Sequence, residues 1–145
     1  MVELRGQVVV AGEADGAALV SAEPLSFWGG YDHRTGEIID RRHPLSGQIA
    51  AGRVLVVPFT RGSSTTTAVL LEAIRAGTAP AAILTTGPDS FFALASVVAD
   101  ELYGQSVPLV SLAPDDFARL RAGQYLHVAL DGSIRVTGWA SPPPG

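Results

Sequence analysis

Pro58-Phe59-Thr60-Arg61-Gly62-Ser63-Ser64 is the stretch whose residue types suit chemistry. An apolar run, 54–57, precedes it, and 65–76 has helical spacing after it. The order is a strand, a tight polar loop with one cation, and a helix start. A helix start leaves N–H groups unpaired and carries partial positive charge. It therefore favours an anion, or a hydroxyl that has to lose its proton. Ser63 stands at that point, two residues after the guanidinium of Arg61, a group that holds carboxylates or phosphates bidentately. Two readings of Ser63 stay open on these residues. It is a general base or anion contact, or it is an ordinary helix N-cap, a position where serine is favoured. With one glycine and no lysine, the loop is not a Walker-type phosphate loop.

Other residues that carry chemistry have plainer readings. Asp32, His33, Asp40 and His43 lie in a 26-residue stretch, 23–48, but their spacing matches no zinc template. They are expected to form turns and face solvent. Phe27-Trp28-Gly29-Gly30 suits either a core or an interface. His127 lies inside an apolar run and is expected to be a satisfied structural histidine. Asp115-Asp116 suits the positive end of a short helix. No Gly-x-Ser-x-Gly elbow is present.

The elements that position these residues follow from apolar period and punctuation. Strands are expected at 4–10 and 17–22, with turn chemistry from Gly12 to Gly16 between them. The stretch 23–48 sustains no period, yet its aromatics argue against disorder, so it is expected to be an ordered surface loop crossing one end. Then come a strand at 54–57, closed by Pro58, and a helix at 65–76 with Thr67, Leu70, Leu71 and Ile74 on one face. A strand at 81–85 follows, then a helix at 91–103 capped by Asp89 or Ser90, with Phe91, Leu94, Ala95, Val98 and Leu102 as its buried stripe. A strand at 106–110 and a short helix from Pro114 to Arg121 lead to a hairpin, 125–130 and 133–137, turning on Asp131-Gly132. The middle, 54–110, is a βαβαβ unit with parallel pairing. Flanking strands suggest a second β layer, so the fold class is α/β with β/β/α layers. One domain is expected over 1–139, with 140–145 as a frayed tail.

Bulk properties narrow the partners. The chain has 145 residues, a mass of 15.0 kDa and 47% hydrophobic residues, enough for one core. The net charge is −4, and all 10 basic residues are arginine without clustering, which argues against nucleic acid. No run is long enough to span a membrane, and the first residues do not resemble a signal peptide, so a cytoplasmic protein is expected. Cysteine is absent, so this chain alone offers no disulfide, thiol nucleophile or cysteine-ligated metal site.

Several of these segments carry a resemblance. Leu25-Ser26-Phe27-Trp28-Gly29-Gly30, Asp32, Thr35-Gly36, Ile38-Ile39-Asp40, His43-Pro44-Leu45, Gly47, Gly52 before Val54-Leu55, and Arg61-Gly62-Ser63-Ser64 resemble the small, swivel-domain subunit of aconitase X-type hydro-lyases. The likeness covers about 5 to 137. It implies the swivelling β/β/α domain of the aconitase superfamily and a large partner, separate or fused. That partner would hold an iron–sulfur cluster or a mononuclear iron. It implies dehydration of a small hydroxy acid, with the serine at position 63 as the base, and no cofactor on this chain. With that role for Ser63, Arg61 becomes an orienting cation, Gly62 permits close approach, and Ser64 becomes a substrate contact. The family divides between bacterial cis-3-hydroxy-L-proline dehydratases and archaeal mevalonate 5-phosphate dehydratases. Arg61, and the stretch 99–108, look more like the former. A reading of another class remains, a non-catalytic binding or regulatory module that uses 23–48 as its surface.

Overall fold

Consecutive residues of a strand point to opposite faces, and 54–57 is apolar on both, so this run has to be covered from two sides. A computed structural model describes residues 3–27, 29–61, 64–87 and 89–139, and only the backbone at 60, 61, 64–66 and 91. In chain order the strands are β1 (Glu3–Arg5), β2 (Gln7–Val10), β3 (Ala14–Val20), β4 (Leu25–Ser26), β5 (Val54–Val56), β6 (Thr60–Arg61), β7 (Ala82–Thr85), β8 (Leu109–Ser111), β9 (Gln124–Val128) and β10 (Ser133–Trp139). The helices are α1 (Ser64–Ala76), α2 (Ser90–Tyr103) and α3 (Pro114–Phe117).

The large sheet runs β1-β10-β9-β3-β5-β7-β8-β2. Its centre, β3-β5-β7-β8, is parallel, with α1 and α2 as the crossovers of the βαβαβ unit. The remaining pairs are antiparallel. β1 and β2 end the order on opposite sides, yet only Gly6 separates them along the chain. The sheet therefore closes on itself as a flattened ring. The second corner is β3, whose residues 14–17 pair with β9 and whose residues 18–20 pair with β5. Both corners carry a glycine where neighbouring atoms stand too close for a side chain. A Cβ on Gly6 would stand 2.3 Å from Val110 Cγ1, and one on Gly16 would stand 2.8 Å from the Gly52 carbonyl oxygen.

This arrangement gives the expected β/β/α layers. Val54, Val56, Leu84 and Val110 from the parallel half meet Leu4, Leu126, Val128 and Ile134 from the other half. Leu55, Val57, Ile83 and Leu109 point the other way, onto Leu70, Ala73 and Ile74 of α1 and Phe92, Ala95 and Ala99 of α2.

Several expectations are corrected. The strand expected at 4–10 is two strands on different halves of the ring. Residues 14–16, expected as turn, already belong to β3. The stretch 23–48 is no surface loop, because Leu25, Phe27, Tyr31, Ile38 and Leu45 are buried in the helix-side interior. On α2, Leu94 and Leu102 are exposed, while Phe92, Ala95, Ser96 and Ala99 are buried. Small residues on that face let α2 approach α1 and the sheet. α3 stops at Phe117. The hairpin turns one residue earlier than expected: Gly132 N–H donates to the Ala129 carbonyl (3.0 Å), and Gly132 follows the turn with φ of 89°. Residues 140–145, expected to fray, lie outside the described residues.

Candidate functional site

In parallel α/β sheets, ligands bind at the carboxyl ends of the strands. The chemical loop leaves β5 at that end, and neighbouring segments hold its first half by the backbone. The Pro58 carbonyl accepts from the Thr86 N–H (3.0 Å) and from the Thr86 hydroxyl (3.1 Å), at the carboxyl end of β7. The Phe59 carbonyl accepts from the Leu25 N–H (3.3 Å). β6 then pairs in parallel with β4, Leu25 against Thr60 and Ser26 against Arg61. Phe59 itself is half exposed. On the far side of the loop α1 begins at Ser64, runs 13 residues, and has no acidic residue in its first turn to neutralise its positive end.

Gly62 and Ser63 lie outside the described residues, and Arg61 and Ser64 are described by backbone only. The structure fixes the chain on either side of Gly62-Ser63: β6 against β4 before, and α1 after. Thr86 was missed at the sequence level. Its signal was available, since Thr85-Thr86-Gly87 follows an apolar strand expected to lie beside 54–57.

The segment 23–48 supplies the support on the β4 side. Phe27 is fully buried, stacked on Tyr31 (4.7 Å between ring centroids) and edge-on to Phe92 (5.1 Å). This assigns Phe27 to the core rather than an interface; Trp28 lies outside the described residues. The Tyr31 hydroxyl donates to the Thr78 carbonyl (2.6 Å), and burial pushes its phenol above the ordinary range. Asp32 and Asp40 are turn formers, as expected. Their carboxylates accept from the N–H groups of Arg34 (2.9 Å) and Arg42 (3.0 Å). The Arg34 N–H bond is the main cause that holds the Asp32 carboxyl below the usual range. His33 is exposed, but His43 is buried. Among the described residues no three His, Cys, Asp or Glu side chains come together as a metal site. His127 sits across from Asp15 on β9 and β3, its Nδ1 2.7 Å from the carboxylate, so it is a satisfied cross-strand residue.

A family model for the aconitase X swivel domain matches residues 3–136. The chain belongs to this family. The aconitase X swivel fold extends to solved structures. The crystal structure of Thermococcus kodakaraensis aconitase X in its holo-form superposes with a TM-score of 0.83 at 30% identity, covering 94% of this chain and 98% of that one. Two sequence relatives are named dehydratases, that is, hydro-lyases. Cis-3-hydroxy-L-proline dehydratase of Pseudomonas aeruginosa is 47% identical over 137 residues, 94% of this chain. This swivel-domain chain spans 23% of that relative's length. The phosphomevalonate dehydratase small subunit of Methanothermobacter thermautotrophicus is 36% identical over 118 residues, 81% of this chain and 86% of that subunit. Among the described residues, no helix of the aconitase X swivel fold seen here is long and apolar enough to cross a membrane.

Proposed function

We propose that this chain supplies the swivel-domain part of an aconitase X-type dehydratase, with Ser63 as the general base in the elimination of water from cis-3-hydroxy-L-proline. What carries the proposal is the placement of the loop. In a chain of this family, Arg61-Gly62-Ser63 directly precedes the N-terminus of a 13-residue helix, at the carboxyl end of a buried parallel strand.

A serine hydroxyl is a poor base at neutral pH. It becomes useful when its alkoxide is stabilised by fixed dipoles and a nearby cation. The N–H groups at the start of α1 supply the fixed dipoles, and Arg61 supplies the charge. Gly62 carries no side chain and admits the substrate close to the backbone. Ser64 is a hydrogen-bond contact to the substrate. The alkoxide takes the proton from carbon, the electron pair of that C–H bond forms the C=C bond, and the hydroxyl on the neighbouring carbon departs.

The iron–sulfur cluster or mononuclear iron implied by the family does not fit this chain. It has no cysteine, and its described residues offer no convergent donor set. The proposal therefore assigns the metal to a large subunit and routes no step through it here. The partner is that large subunit, and the substrate is a small hydroxy acid. The 47% identity to the named hydroxyproline enzyme favours that substrate. A specific observation supports a second one: a separate small subunit of phosphomevalonate dehydratase is covered over 86% of its length, so mevalonate 5-phosphate belongs in the same assay.

In the complete enzyme, Ser63→Ala is expected to lose roughly 10²- to 10⁴-fold in kcat, the range for removal of a general base, with an unchanged melting curve. Turnover near that of the wild type on whichever compound is the substrate would remove Ser63 from the mechanism.

A further inference from the structure

We propose that His43 is a positioning residue for the loop of Arg61 and Ser63, acting through the Glu23 carbonyl and β4. The pairing of β4 with β6 is two residues long, too short to hold itself in water. Both ends of β4 need support from elsewhere. Phe27, fixed in the aromatic cluster, anchors the end after it. The end before it is the turn 21–24, which connects β3 to β4.

Four bonds converge on this turn. Ser21 continues along β5, its N–H donating to the Val56 carbonyl (3.0 Å). Its hydroxyl accepts from the Glu23 N–H (2.9 Å) and donates to the Glu23 carbonyl (3.2 Å). The same carbonyl meets His43 Nε2 at 3.3 Å, from 20 residues further along the chain. The histidine is 7% exposed, and its Nδ1 accepts the Leu45 N–H (3.1 Å). An Nδ1 that accepts carries no proton, so the proton is on Nε2, which donates to Glu23. Leu45 is itself buried in the helix-side interior. The imidazole is thus a strut from that interior to the turn that launches β4, and β4 in turn sets where β6 lies. Positioning of this kind matters because a displacement of about 1 Å can cost roughly 10²-fold in rate.

The activity part of this inference rests on the proposed dehydratase reading; the structural part does not. Two variants separate the ring's contacts. In His43→Asn the amide oxygen stands near the place of Nδ1 and takes the Leu45 N–H, but the side chain does not reach Glu23. In His43→Gln the amide nitrogen stands near the place of Nε2 and reaches Glu23. Hydrogen exchange on the complete protein is expected to show the Leu25 amide, which donates to the Phe59 carbonyl, exchanging about 10-fold faster in His43→Asn, the loss of about one hydrogen bond, with β7 and β8 unchanged. His43→Gln is expected to restore slow exchange. In the dehydratase assay kcat is expected to fall about 10-fold in His43→Asn with KM within about 3-fold, and to recover in His43→Gln. Faster exchange throughout the protein, or confined to 43–48, would overturn the proposal, as would equal behaviour of the two variants. If His43→Gln fails to fold, the exchange pattern of His43→Asn decides alone. A wild-type protein inactive on both compounds would reject the dehydratase reading, while the exchange pattern would still test the strut.

Discussion

Between the two halves of the ring, the buried side chains come mainly from strands, among them Leu4, Val54, Val56, Leu126 and Ile134. On the helix side, Phe27, Tyr31, Ile38 and Leu45 come from a segment with little regular structure, and they share the space with α1 and α2. The first interior is aliphatic and follows the alternation of its strands. The second contains a cluster of three aromatic rings, Phe27, Tyr31 and Phe92, and is held by polar bonds: Tyr31 to Thr78, His43 to Glu23, and Ser96 to both the N–H and the carbonyl of Val107 at 2.7 Å. The difference separates two jobs. The ring interior holds the shape, while the helix-side interior sets the position of β4 and, through it, the loop of Arg61.

The separation can be broken most forcefully at Phe27. Phe27→Ala removes a fully buried ring that touches Tyr31 and Phe92, and should cost about 4 kcal/mol in urea unfolding. Because Phe27 directly follows β4, turnover per folded molecule should fall as well. Full specific activity in the folded fraction would mean that this interior does not position the loop. Gly6→Ala attacks the ring instead. Its Cβ would meet Val110, the Ser111 carbonyl and Leu112 at 2.3–2.9 Å, for an expected cost of about 2 kcal/mol. Turnover per folded molecule should be unchanged, and a matching loss of turnover would merge the two jobs into one.

Tyr31→Phe sharpens the contrast at the smallest scale. At neutral pH it should cost about 1 kcal/mol, the worth of the bond to Thr78. The larger signature lies in alkali. The folded phenol is pushed above its ordinary value of 10.0 by burial, so above about pH 10 the unfolded chain releases a proton that the folded chain keeps. Stability is full below the unfolded value and falls as pH rises past it, by up to about 1.4 kcal/mol per pH unit for this group. Urea titrations from about pH 8 to 11 should show that decline in the wild type and a shallower one in Tyr31→Phe. Parallel curves would mean that Tyr31 ionises as freely folded as unfolded.

The same contrast explains what was legible in the sequence. β5, α1, β7, α2 and β8 announce themselves because their apolar period is local, and Asp89 caps α2 as one of the two expected residues, its carboxylate accepting the Phe92 N–H at 3.1 Å. The face of α2 was misjudged at Leu94 and Leu102, which are more hydrophobic than Ser96 and Ala99, yet close helix approach selects the smaller residues; Ala95 was expected to be buried and is. The burial of 23–48 was illegible for a different reason. Tyr31 meets its partner 47 residues away, and no local period encodes such a contact. For the site, type and spacing singled out Arg61 and Ser63. Leu25 and Glu23 support the loop through backbone groups that have no chemical signature of their own, while Thr86 was signalled only by its place after an apolar strand.

The seam at Gly6 also has a consequence for synthesis. β1 pairs with β10, so among the ten strands described here the first to be made bonds to the last. A nascent chain with every residue up to 112 already holds β2 beside β8, but its opening residues still wait for a neighbour. Completion of the ring must therefore be a late, long-range event, and a translation product stalled before β10 would leave β1 without the partner it has in the finished fold.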